Sequence, residues 1–320
     1  MDSTDTFARL CYLCIHTDDV RLLESMFSQV MNINDIDLNG HSPTYYAATQ
    51  NPHIEVLEAL IQRGAFLDLF LVEESVKHNQ NPHVAIRIFK EIEHPGQAEM
   101  DYLFLLSAAH RTEKTLPEFF IEEGASVDAT LGLDIYPEFD WDDEPDEQLP
   151  SYLLVEENAL VFAIYENPDP YLMVPILLDL GVDFNFMDRE GHTVLYHALD
   201  DIELVTLLIE AGCDVHRCDA SERTPLMLAC EGENCEVARY LIEHDDDINR
   251  SCCEGRTPLH FALSLHFTQN HEVVQALLDK GADIRARDSR GHTPLDYAYR
   301  YYARKETIEL LKKVEEKISS

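Results

Sequence analysis

Between Thr257 and Asp288 the apolar positions fall into two bursts separated by a polar break. Leu259, Ala262 and Leu263 share one face at helical spacing, and Val273, Val274, Leu277 and Leu278 mark a second helix. Thr257-Pro258 supplies the start: a hydroxyl able to cap, then a proline whose locked φ and missing N–H suit a first turn. Gly281 supplies the stop, as a residue that tolerates left-handed geometry. Gly281-Ala282-Asp283-Ile284 then leads into an extended turn, and Gly291-His292-Thr293-Pro294-Leu295 begins the cycle again. Thr257 to Thr293 is 36 residues, and Thr224 to Thr257 is 33. A helix–helix–turn unit of this size cannot bury its apolar face alone, so it stacks on its neighbours.

The same pattern runs through most of the chain. Residues 1–34 read as an N-terminal cap, with Phe7, Leu10, Cys11 and Cys14 on one helix and Val20, Leu22, Leu23 and Met26 on the next. A unit opens at Asp37-Leu38-Asn39-Gly40-His41-Ser42-Pro43 and closes at Gly64-Ala65. Residues 68–98 form a degenerate unit around Asn81-Pro82, and 99–128 a clearer one ending at Gly124-Ala125-Ser126-Val127-Asp128. Further units close at Gly181-Val182-Asp183 and Gly212-Cys213-Asp214, and one ends without glycine at Asp245-Asp246-Asp247-Ile248-Asn249. Pro175 is expected to delay or kink its helix. Residues 289–320 read as a C-terminal cap. Arg304, Lys305, Lys312, Lys313 and Lys317 lie on its last helix, placed to complement a helix C-terminus.

Thr257-Pro258-Leu259-His260 and Gly281-Ala282-Asp283, at this period, resemble the ankyrin repeat, whose signature is TPLH near the first helix and G-A-D after the second. The resemblance implies an all-α ankyrin-repeat solenoid of about nine helix pairs including caps. Its domain organisation reads as 1–128 (cap and divergent repeats), 129–150 (an insertion) and 151–320 (repeats and cap), in one continuous array. The resemblance further implies protein–protein binding on the face made by finger tips and first helices. It also implies that His41, His192, His260 and His292 serve repeat starts by bonding backbone or a neighbouring cap.

Charge changes the picture. The chain carries 61 acidic residues against 24 basic, a net charge of −37. Such a chain is expected to avoid direct nucleic acid binding and anionic membranes and to attract basic partners. No run approaches the roughly 18 apolar residues of a membrane span. The N-terminus MDSTDTFARL lacks the basic and apolar regions of a secretory leader. The expected location is cytoplasmic, and the free protein is expected to be monomeric. Of the eight cysteines, Cys11 and Cys14 have a C-x-x-C spacing, and Cys213, Cys218, Cys230, Cys235, Cys252 and Cys253 cluster later. Most occupy slots for small buried side chains, so packing is preferred over a structural zinc or disulfides.

The pattern breaks once, from Ala129 to Pro150. Three prolines and a density of acids oppose helix there. The stretch holds the chain's one tryptophan, Trp141, between Asp140 and Asp142, with Tyr136 and Phe139 nearby. From Thr115 to Asp188 there is no Lys or Arg and there are 19 acids, about half of the net charge. Two readings stand: a solvated insertion, or a docking element. In the second, Tyr136, Phe139 and Trp141 anchor a partner, while Asp140, Asp142, Asp143, Glu144, Asp146 and Glu147 steer it. A calcium loop is disfavoured, because no D-x-D-x-D-G series occurs.

No phosphate loop, G-x-S-x-G elbow or H-E-x-x-H motif is present. No catalytic, cofactor-binding or metal-binding residues are expected, and the protein is not expected to be an enzyme. The favoured function is a non-catalytic module that binds and masks or neutralises a basic protein, as an inhibitor, immunity or effector protein would. Alternatives are a nucleic-acid mimic occupying a DNA- or RNA-binding protein, and an adaptor recruiting a client to a larger complex.

Overall fold

A computed structural model describes residues 3–30, 32–131, 157–232, 234–264 and 271–319. Among these residues the chain forms eighteen α-helices and two two-residue strands. The helices make nine consecutive pairs, as the repeat pattern predicts. By packing they divide into two compact units, Met1–Val182 and Asp183–Ser320.

The first unit holds α1 (Ser3–His16), α2 (Val20–Phe27), α3 (Pro43–Gln50), α4 (Ile54–Gln62), α5 (Leu69–His78), α6 (Pro82–Phe89), α7 (Gln97–His110), α8 (Thr115–Glu123), strands β1 (Thr130–Leu131) and β2 (Glu157–Asn158), α9 (Ala159–Glu166) and α10 (Pro170–Asp179). Local chemistry sets these boundaries. Asp19, Ser42, Asp68 and Asn81 accept hydrogen bonds from first-turn amides of α2, α3, α5 and α6. Gly124, at φ +120°, ends α8. Helix α10 runs through Pro175 from Pro170, so the proline neither delays it nor ends it. The one bond that Pro175 forfeits, to the Tyr171 carbonyl, falls in the first turn.

First helices pack on first helices (α1 on α3, α3 on α5, α5 on α7, α7 on α9), and α2, α4, α6 and α8 form a second layer. The core between them includes Leu10, Leu23, Leu60, Ile88, Phe104, Phe120 and Leu160, all fully buried. Each contributes about 1.5–3 kcal/mol by leaving water. Phe89, Phe119 and Phe120 meet edge-to-face at 5.4–5.8 Å.

A polar ladder joins the C-terminal ends of the first helices. Buried Asn51 donates through Nδ2 to the carbonyls of Cys14 and Thr17, both at 2.9 Å. Buried Asn79 donates to those of Ala48 and Asn51, both at 2.8 Å, and accepts from the Asn81 amide at 2.9 Å. Arg111 Nη1 donates to the Asn79 carbonyl at 2.6 Å, and Asn167 Nδ2 donates to the carbonyls of Ala108 and Arg111. Each rung satisfies helix-end carbonyls that would otherwise be buried without partners.

The second unit holds α11 (Val194–His197), α12 (Ile202–Glu210), α13 (Pro225–Glu231), α14 (Cys235–His244), α15 (Pro258–Phe261), α16 (His271–Asp279), α17 (Pro294–Arg300) and α18 (Lys305–Ser319). It has the same two layers: α11, α13, α15 and α17 in one, α12, α14, α16 and α18 in the other. First helices α11 and α15 are single turns. Preceding each first helix is a finger closed by paired backbone bonds, such as Asp188 N to His192 O at 3.0 Å and Asp288 N to His292 O at 2.9 Å. Successive fingers are tied by single bonds: Ala220 N to Glu190 O, Cys253 N to Ser221 O, and Ser289 N to Glu254 O. One expectation needs correction. Arg304 and Lys305 fall at the start of α18 rather than its end, so only Lys317 of that basic set lies in the last turn. Lys305 is instead paired with Glu309 at 3.5 Å.

Candidate functional site

The finger before α3 is stiffened by one carboxylate. Asp37 Oδ1 accepts from the amides of Asn39 (2.8 Å) and His41 (3.0 Å), while Oδ2 accepts from the Tyr46 hydroxyl at 2.6 Å. The Tyr46 bond holds the Asp37 carboxyl below the usual carboxylate range. This rigid turn presents Ile36 and Leu38 to solvent, Leu38 fully. Between the finger and α1 lies an apolar groove of about 960 Å³, lined by Phe7, Cys11, Tyr12, Ile36, Leu38 and Tyr46 among others.

The apolar surface continues across the next repeat. His41 stacks on Tyr45 with ring centroids 3.9 Å apart, and Tyr45 lies parallel to Phe70 at 6.2 Å. Phe66, before α5, is also exposed. The Tyr45 hydroxyl donates to Glu74 Oε2 at 3.3 Å, and Lys77 pairs with Glu74 at 3.1 Å. Burial first, and Glu74 second, push the Tyr45 hydroxyl up, so it stays a neutral donor. Contiguous exposed apolar groups of this kind mark surfaces that bind other macromolecules. Aromatic side chains held by their neighbours supply contact area at low entropic cost.

Of the thiols, Cys11, Cys14, Cys213, Cys230 and Cys252 are buried, Cys218 and Cys235 are partly buried, and Cys253 is exposed. Burial pushes Cys11 up to about 11 and Cys213 up to about 12, and raises Cys14 and Cys230 further. All eight cysteines are thiols rather than disulfides. His260, the last residue of the TPLH motif, accepts from the Thr257 amide at 3.1 Å through Nδ1. Its Nε2 reaches the His292 carbonyl of the next finger at 3.2 Å. His41, His192 and His292 sit earlier, on the fingers, and face aspartates or aromatic rings.

Residues 200–288 match the family model for ankyrin repeats, in three copies. These residues are ankyrin repeats. It is similar to the nuclear factor NF-kappa-B p105 subunit of Gallus gallus, at 31% identity over 30% of this chain and 14% of that protein. It is also similar to Inversin of Gallus gallus, at 34% identity over 23% of this chain and 7% of that protein. A third relative is protein phosphatase 1 regulatory subunit 27 of Mus musculus, at 32% identity over 24% of this chain and 51% of that protein. The chain thus spans only a minor part of the first two relatives. Ankyrin repeats are protein–protein interaction modules, and among the described residues no helix is long and apolar enough to cross a membrane.

The residues expected to bind a partner, Tyr136, Phe139, Asp140, Trp141, Asp142, Asp143, Glu144, Asp146 and Glu147, lie outside the described residues. Both ends of the segment that holds them are described. Thr130 pairs with Asn158 and Leu131 with Glu157 in an antiparallel ladder, and Asn158 then caps α9 through Leu160 and Val161. The exposed ankyrin ledge of Tyr12, Ile36, Leu38, Phe66 and Phe70 was not singled out by sequence reasoning. Its signal is apolar residues at finger positions 36, 38 and 66, where turn chemistry alone favours polar ones.

Proposed function

We propose that this ankyrin-repeat chain is a non-catalytic binding protein that captures a basic protein partner and masks or neutralises it. The observation that carries the reading is the distribution of charge. Of the 19 acids between Thr115 and Asp188, nine lie between Gly132 and Glu156, with no Lys or Arg among them. The β1–β2 pairing closes this acidic stretch at its base. In this reading Tyr136, Phe139 and Trp141 anchor the partner, and Asp140, Asp142, Asp143, Glu144, Asp146 and Glu147 raise its rate of encounter. The aromatic ledge on α3 and α5 offers an apolar surface for the partner's body. A similar protein is by name a regulatory subunit of protein phosphatase 1, and a regulatory role through binding fits the same design. A cytoplasmic setting suits a chain whose eight cysteines are thiols.

The test is capture with the full chain from its own cell lysate, beside a variant carrying Trp141→Ala, Asp142→Asn, Asp143→Asn and Glu144→Gln. Raising ionic strength from about 0.1 M to 1 M shortens the screening length from roughly 10 Å to 3 Å. The expected result is one basic protein, held at low salt, depleted at high salt and lost by the variant. Retention by the variant moves the contact to the ledge. Several neutral proteins held regardless of salt overturn the basic-partner reading.

A further inference from the structure

Three of the fingers share one device with one variation. In each, the finger aspartate turns Oδ1 to two backbone amides and Oδ2 to the residue nine positions on. For Asp37 that residue is Tyr46, at 2.6 Å, and for Asp288 it is Tyr297, at 2.9 Å. For Asp188 it is His197, whose Nε2 lies 3.3 Å from Oδ2. A second histidine, His192, approaches the same oxygen through Nδ1 at 3.6 Å. One oxygen of Asp188 and one ring nitrogen of each histidine lie within 4.8 Å of one another, the one such group of His, Cys, Asp and Glu among the described residues.

We propose that Asp188, His192 and His197 bind a divalent transition-metal ion, zinc by preference, that locks this finger onto the single-turn helix α11. The two carboxylate–imidazole distances are those of a ligand set, and the three groups lie within 4.8 Å of one another. Ligands about 2.0–2.1 Å from a tetrahedral zinc are separated by about 3.3–3.4 Å, against 3.3 and 3.6 Å here. Two imidazoles and a carboxylate suit zinc better than calcium or magnesium, which take oxygen. Asp188 is already fixed, because its Oδ1 accepts from the amides of Glu190 (2.9 Å) and His192 (2.8 Å).

An outer shell is also in place. With Nδ1 of His192 turned to the metal, its Nε2 faces Asp219 Oδ2 at 3.7 Å. That Nε2 is buried and has no hydrogen-bond partner among the described residues. A carboxylate behind a ligating imidazole is the usual way its ring is oriented. Asp219 is itself held by Arg223 at 2.6 Å. Glu190 is exposed, and its Oε2 lies 3.6 Å from His192 Nδ1, within reach of the same ion. Cysteine plays no part in the group.

The test uses the full chain freed of metal by chelation, titrated with zinc chloride by calorimetry and with cobalt(II) by absorption. His197→Tyr is the decisive variant, because it installs the tyrosine that the Asp37 and Asp288 fingers already carry and so keeps the fold. The expected result is one zinc per wild-type chain, with cobalt showing no thiolate charge-transfer band. His197→Tyr should weaken zinc binding by more than about 100-fold, and Asp219→Asn by about 10- to 100-fold as an outer-shell loss. Zinc should raise the melting temperature of the wild type but not that of His197→Tyr. Equal zinc binding by wild type and His197→Tyr, a thiolate band in the cobalt complex, or no zinc bound by the folded wild type overturns the proposal.

Discussion

Asn79→Ala tests the idea that a buried polar ladder, as much as apolar packing, holds the first unit together. The substitution removes the donor to two carbonyls, Ala48 and Asn51, each bonded at 2.8 Å. Both residues are buried, at 0% and 1% exposure, so water cannot replace the lost partner. It also removes the acceptor for the Asn81 amide, but Asn81 is partly exposed and its loss is small. Leaving a buried carbonyl unsatisfied costs about 1–3 kcal/mol, so the two together cost about 2–6 kcal/mol. A chain of two units need not unfold in one step. Hydrogen exchange followed by peptide mass spectrometry is therefore the assay, since it reads each helix separately. Amides of α3 to α6 should lose protection by roughly 30- to 20,000-fold, at about 1.4 kcal/mol per decade. Those of α13 to α16 should not change and serve as the internal control. A loss below about threefold in α3 to α6, or an equal loss in both units, refutes the reasoning.

Gly191 holds φ +80°, and a Cβ there would lie 2.8 Å from the Ala220 amide nitrogen of the next finger. Gly191→Ala should therefore destabilise the second unit more than Gly281→Ala, where φ is +99° but nothing lies within 4 Å. The open site should cost about 1–2 kcal/mol from backbone strain alone, as read by urea titration. Burial pushes the Asp288 carboxyl up, but hydrogen bonds from the His292 amide, the Tyr297 hydroxyl and the Arg290 amide outweigh it and hold its pKa down to about 2. A folded value below the unfolded one of about 3.9 gives stability that is full above about pH 4–5 and is lost as pH falls toward 2. Asp288→Asn should flatten the fall in melting temperature across that window, and an unchanged slope would count against the assignment.

The helix pairs were legible because their signals are local. Thr224 and Thr293 cap the helices behind them, and Gly64, Gly124, Gly212 and Gly281 adopt the positive φ that ends a repeat. Even the degenerate unit at 68–98 keeps Asp68 and Asn81 as caps, so its helices form without TPLH or G-A-D. What the pattern does not carry is long-range. The ladder of Asn51, Asn79 and Asn167 bridges 28 to 59 residues, and no local spacing distinguishes these asparagines from turn residues. The aromatic ledge depends on Tyr45 and Phe70 of successive first helices, α3 and α5, lying parallel, which only stacking decides. His192 and His197 sit on a finger and a helix, so their spacing lacks the one-face signature of helical metal ligands until the turn is folded.

The pairing of Thr130–Leu131 with Glu157–Asn158 ties the end of one repeat to the start of the next. The pairing brings the two ends of a 25-residue stretch together beside α9, whatever the number of residues between them. Closing a longer loop costs little, about 0.6 kcal/mol for each doubling of length. A change of length between the two strands is therefore expected to leave the packing of α7 on α9 in place. Under the proposed function, the stacked helices then serve as a chassis and the segment that this pairing closes as its interchangeable part.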